Sequence, residues 1–130
     1  MSTIKVDTVQ SRGGGAVTLT NQSAAKSWVN FNGTGTIATR DSLNVASLTD
    51  NGTGNHDINF SSSMSDANYS RSTHMHRENT TANYANIDGS YNNDTYSTST
   101  LEVRTIYMNS AASGAVDSPI VSNQIFGDLA

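Results

Sequence analysis

"LNVASLTDNGTGNHDINF", residues 43–60, reads as two strands folded about a tight corner. Asn51-Gly52 supplies the positive φ angles that a short hairpin turn requires, and strand-like segments flank it on both sides. On the return strand His56, Ile58 and Phe60 recur at every second position, so they share one face. A period of two with an Asn-Gly corner is a β signature, and it sets the expectation for the rest of the chain.

Upstream, "SWVNF" (27–31) leads through a Gly33–Gly35 turn into "TIATR" (36–40), so Asn-Gly-Thr-Gly occurs twice, at 32–35 and 51–54. Residues 21–27 read as a short helical or irregular joint. Downstream, the loop "SSSMSDA" precedes a polar strand in which Tyr69, Arg71, Thr73 and Met75 alternate with Ser70, Ser72, His74 and His76. Residues 77–97 show no clean period and read as a long loop. "STLEVRTIYM" is the strongest strand, with Leu101, Val103, Thr105 and Tyr107 on one side, and "IVSNQIFG" closes the chain. At the other end, Ile4 and Val6 alternate with Lys5 and Asp7. A Gly13-Gly14-Gly15 turn and a strand carrying Val17 and Leu19 follow, a hairpin that is either the first edge of the main sheet or an anchoring arm. Short strands with regular turn signals predict an all-β protein, an antiparallel β-sandwich or jelly-roll-like domain with an N-terminal β-hairpin arm.

Ser, Thr and Asn fill 50 of the 130 positions, while Leu, Ile, Val and Phe make up roughly 18%. That is little apolar material for a compact monomer. Yet the net charge is only -4, unlike a self-repelling disordered chain. The expectation is a β protein whose apolar faces are completed by copies of itself. The chain has no cysteine, and its seven Lys and Arg form no cluster of the kind nucleic acid requires. No stretch reaches the roughly 20 apolar residues of a membrane span, and the N-terminus lacks the pattern of a secretory signal. Asn32-Gly33-Thr34 and Asn51-Gly52-Thr53 fit glycan-acceptor triplets, but read as turn chemistry.

Residues 25–69 closely resemble a domain of bacteriophage tail-fibre proteins. The likeness rests on Trp28–Gly35, Arg40–Val45, Asp50–Gly54 and Met64–Tyr69. It departs at Ser65, where the family usually has proline. "LEVRTIYM" (101–108) and "IFGD" (125–128) are similar to the family's closing strands, and "STIKVDTVQ" to the N-terminal segments of many phage fibres. The resemblance implies a structural protein on the outer surface of a virion, assembled as a homotrimer with chains around a shared axis. Residues 1–22 would then be an attachment or trimerisation arm carrying Ile4, Val6, Val17 and Leu19, with Trp28 a further attachment or trimer residue, and residues 25–130 a β-sandwich fibre head. No shaft-like stretch is present, which points to a short fibre, a tip, or a decoration of tail or head.

Three constellations bear on function. Tyr84, Tyr91 and Tyr96, with Asp88, Asn92 and Asn93, offer rigid rings and paired amide donors and acceptors that suit sugar rings of a bacterial envelope; the same loop would equally serve to pack on a neighbouring subunit. His74 and His76 lie two apart on a strand, so both rings face the same way. In a trimer three such pairs would present six imidazoles to an axial metal ion, the alternative being two solvent-facing histidines. Asp57, Asp66, Glu78, Asp88, Asp94 and Glu102 are the carboxylates available for pairing, most of them in polar turns. No nucleophile elbow or cysteine nucleophile accompanies them, so no enzymatic activity is expected. Trp28, beside Val29 and Phe31, reads as core or inter-subunit packing.

The functional expectation is a short trimeric tail fibre or appendage that contacts other virion proteins and adsorbs to host-surface polysaccharide, with no bound cofactor. The alternatives are a capsid decoration or head-fibre protein and a stand-alone carbohydrate-binding module.

Overall fold

In the computed structural model of the chain, the described residues are 13, 24–76, 96–108 and 113–130, together with the backbone of 85–88. The expected N-terminal hairpin, with Ile4, Val6, Val17 and Leu19, lies outside them. The strands are β1 (Ser27–Asn32), β2 (Ala38–Leu43), β3 (Val45–Asp50), β4 (Asn55–Phe60), β5 (Ser70–His76), β6 (Ala85–Asp88), β7 (Thr100–Met108), β8 (Ser113–Ala115) and β9 (Ile120–Phe126). No helix occurs among the described residues.

The hairpin at 43–60 forms, but its positive φ angles fall on Gly52 (+113°) and Gly54 (+64°) rather than on Asn51. Leu48 pairs with Ile58 and Asp50 with His56, and a bulge between Val45 and Ser47 takes up one extra residue. The strands make two antiparallel sheets. One runs β2-β1-β9-β5; the other runs β3-β4-β7-β6, with β8 also on β7. Their inner faces meet in one core of Val29, Phe31, Ile58, Phe60, Met64, Tyr69, Met75, Leu101, Val103, Val121 and Ile125, the arrangement of a β-sandwich. Each such burial stabilises by roughly 1.5–3 kcal/mol. These eleven side chains are buried within the single chain.

The outer faces of the sheets explain the abundance of Ser, Thr and Asn. The Asn59 amide donates to Ser47 Oγ at 3.2 Å and Thr49 Oγ1 at 3.1 Å, and accepts from Thr100 Oγ1 at 3.1 Å. Asn30 Nδ2 donates to Ser122 Oγ at 2.8 Å across the other sheet. Hydroxyl and amide ladders link neighbouring strands where solvent faces them.

Asn44 turns the chain from the first sheet to the second, between β2 and β3, at φ 56°. Asn tolerates this left-handed backbone better than most residues. Arg40 is the extra residue where the β1–β2 register shifts: Asn30 pairs with Asp41, and Phe31 with Thr39. Its guanidinium reaches Asn30 Oδ1 at 3.4 Å and the Pro119 carbonyl at 2.6 Å. Gly54 needs both its φ of +64° and its missing side chain, because a Cβ there would lie 2.5 Å from the Thr105 carbonyl oxygen.

Two expectations change. Part of the supposed 77–97 loop is strand β6, paired with β7 from Ala85 opposite Met108 to Asp88 opposite Thr105. Its register comes from β7 rather than from a local period. Trp28 is half-exposed on the outer face beside Leu43, while Ser27, Val29 and Phe31 point inward. Trp28 is thus outside the chain's core.

Candidate functional site

The loop residues expected to bind are only partly described. Tyr84, Tyr91, Asn92 and Asn93 lie outside the described residues, and of Asp88 only the backbone place on β6 is described. Tyr96 is described, and it is 40% exposed. It forms an isolated bridge with Leu101 at the margin of β7. An aromatic run leads to it from the core. Phe60 and Tyr69 meet edge-on with centroids 6.0 Å apart, Tyr69 and Tyr96 lie 5.9 Å apart at 34°, and the Arg71 guanidinium sits 4.8 Å from the Tyr96 centroid. Arg71 also donates to the Glu102 carbonyl at 2.9 Å, tying β5 of one sheet to β7 of the other. Tyr96 is held by a cation and a second ring, with its rim in solvent, a preorganised contact of low conformational cost.

The Tyr69 hydroxyl donates to the Ser97 carbonyl at 3.1 Å. Burial pushes its phenol above the ordinary value, and Tyr96 adds in the same sense; Arg71 and the Ser97 bond act against this.

Among the carboxylates, the fold sets Asp57 and Glu102 directly opposite each other on β4 and β7. Arg104 Nη2 meets Glu102 Oε1 at 2.6 Å, with Glu102 the more enclosed of the two. Like charges facing across strands repel, and the guanidinium two residues along the same face offsets this. Beside Arg104, a cavity of about 320 Å³ is lined by Gly54, Ile106, Ser113, Gly114 and Ala115. Neither the opposed pair nor the cavity is visible in the sequence, since both arise from the β4–β7 and β7–β8 registers.

His74 and His76 are both exposed on the outer face of β5, opposite Ser122 and Ile120. Their shared face is as predicted. No group of three or more His, Cys, Asp or Glu placed to hold a metal occurs among the described residues. His56, in contrast, is fully buried, packed edge-on against Phe31 at 5.3 Å, and neither ring nitrogen has a hydrogen-bond partner among the described residues. No protein-family model, curated protein or solved structure matches the chain.

Proposed function

We propose that the chain is a structural component of a bacteriophage virion, a short trimeric tail fibre or appendage that presents its β domain for host-surface adsorption. The observation that carries this reading is where the tail-fibre-like segments fall in the fold. Asn44 turns the chain between the sheets, Arg40 spans a bulge, and Asp50 and Gly54 shape the hairpin tip. The Met64–Tyr69 segment lies against the chain's end, where Ser65 N donates to the Asp128 carbonyl at 2.8 Å. Residues placed at such corners and bulges serve a scaffold. They leave the outer faces and the Tyr96 rim for contacts.

Adsorption by such a module works through multiplicity. Three weak contacts per trimer, and several trimers per particle, raise avidity without a strong individual site. Tyr96, with the neighbouring Asn and Tyr residues, is the contact region for envelope polysaccharide.

The test is direct imaging of virions assembled with an epitope-tagged copy of the chain, paired with native mass spectrometry of the purified protein. Label on the tail and a trimeric mass are expected. Label on the head would favour the capsid-decoration reading. Absence from the particle, or a stable monomer, would overturn the proposal.

A further inference from the structure

The two copies of Asn-Gly-Thr-Gly are identical in sequence and opposite in environment. Asn32 ends β1, and its side chain is fastened at both atoms: Oδ1 accepts from Thr34 N at 3.3 Å and Thr34 Oγ1 at 2.8 Å, while Nδ2 donates to the Thr34 carbonyl at 2.9 Å. The following Gly33 is buried. Its N–H donates to the Ser118 carbonyl at 2.9 Å, and a Cβ there would lie 3.1 Å from His56 Cε1. Asn51 stands at the tip of the β3–β4 hairpin, where 51–53 are all exposed, and its side chain has no hydrogen bond among the described residues. Gly52 has φ +113°, and its N–H donates at 2.9 Å to Asp50 Oδ1, an exposed acceptor that water can replace.

We propose that Asn51 is a site of spontaneous deamidation through a cyclic imide, from which the fold protects Asn32. The Gly52 amide nitrogen gives its proton to hydroxide and attacks Asn51 Cγ. The new N–C bond forms as the side-chain nitrogen leaves as ammonia, taking its third proton from water. Water then opens the imide at either carbonyl, giving aspartate or isoaspartate. The net change is water in and ammonia out, with no oxidation or reduction. Glycine leaves the attacking nitrogen unshielded, and a free Asn side chain can rotate its carbon onto that nitrogen. Asn32 is pinned to Thr34, and its neighbour's nitrogen faces a buried carbonyl away from hydroxide.

The product places a second carboxylate beside Asp50. On the isoaspartyl route it also inserts a methylene into the main chain between two tip hydrogen bonds, Asn51 N to the Asn55 carbonyl and Asn55 N to the Gly52 carbonyl. The hairpin tip thus gains charge and loses its register as the protein ages. This inference is independent of the proposed function.

The test incubates the full-length folded chain at mildly alkaline pH. Mass spectrometry of its peptides then measures aspartate plus isoaspartate at each position. Because misplacing reacting atoms by a fraction of their approach distance slows a reaction steeply, residue 51 should convert at least about tenfold faster than residue 32 in the folded chain. In denaturant the two rates should converge. Equal rates in the folded chain, or faster reaction at Asn32, would overturn the proposal. So would a preference that persists in denaturant, because it would place the selectivity in flanking residues rather than in the fold.

Discussion

Asn44 and Ser62 clasp each other through two hydrogen bonds: Asn44 Nδ2 donates to the Ser62 carbonyl at 3.0 Å, and Ser62 N donates to Asn44 Oδ1 at 2.7 Å. The clasp lies where the chain passes from one sheet to the other. It joins that corner to the segment leaving β4, so one side chain ties together the crossover and the central hairpin.

The clasp and the left-handed backbone are separable by mutation. Asn44→Gly keeps the backbone conformation and loses the side-chain bonds, which should cost about 1 kcal/mol. Asn44→Ala loses the bonds and adds strain at positive φ, for a total of about 2–3 kcal/mol. Urea unfolding midpoints at unchanged slope measure both. An Ala variant as stable as the Gly variant would show that the corner relaxes to another conformation.

His56 brings into the core two ring nitrogens with no hydrogen-bond partner among the described residues. Replacing a buried polar group that lacks partners with an apolar one of similar size removes a desolvation cost. His56→Leu should therefore leave stability unchanged or raise it by about 1 kcal/mol. Thermal unfolding checks this, and a loss of more than about 2 kcal/mol would mean that the ring nitrogens are bonded in solution.

Tyr69 links stability to alkaline pH. Its phenol is held above the ordinary value of 10.0, chiefly by burial. A raised folded-state value means that its contribution is fully present below the unfolded value and is lost as pH rises through the folded one. Stability should fall above about pH 10, and Tyr69→Phe should flatten part of that fall. The same variant should lose about 1 kcal/mol at neutral pH with the Ser97 bond. Parallel pH profiles for both proteins would disprove the linkage.

The proposed adsorption role can be separated from packing at Tyr96. A ring contact contributes about 0.5–1.5 kcal/mol, and its loss compounds over linked copies. Particles carrying Tyr96→Ala should adsorb several-fold less well, with the isolated protein still folded and its oligomeric mass unchanged. Full adsorption by particles with the altered chain would confine Tyr96 to closing the sandwich beside Arg71.

Much of this molecule is written locally. The Asn51-Gly52 corner, the alternation of His56, Ile58 and Phe60, and that of Leu101, Val103 and Thr105 place strands correctly, because period and turn geometry are properties of neighbouring residues. The alternation across His74 and His76 likewise sets them on one face.

Alternation says which side chains share a face, but not which face turns inward or which strand lies alongside. Tertiary pairing decided that Trp28 faces outward, that Ala85–Asp88 becomes a strand on β7, and that Asp57 and Glu102 oppose each other. It also gathered eleven side chains from both sheets and their connections into one buried core. Two identical tetrapeptides make the division plain: their letters predict the same turn chemistry, while burial and hydrogen bonding fasten one and leave the other open to water. The physical reason is that backbone periodicity is set by adjacent residues, whereas register and burial depend on contacts between segments far apart in the chain.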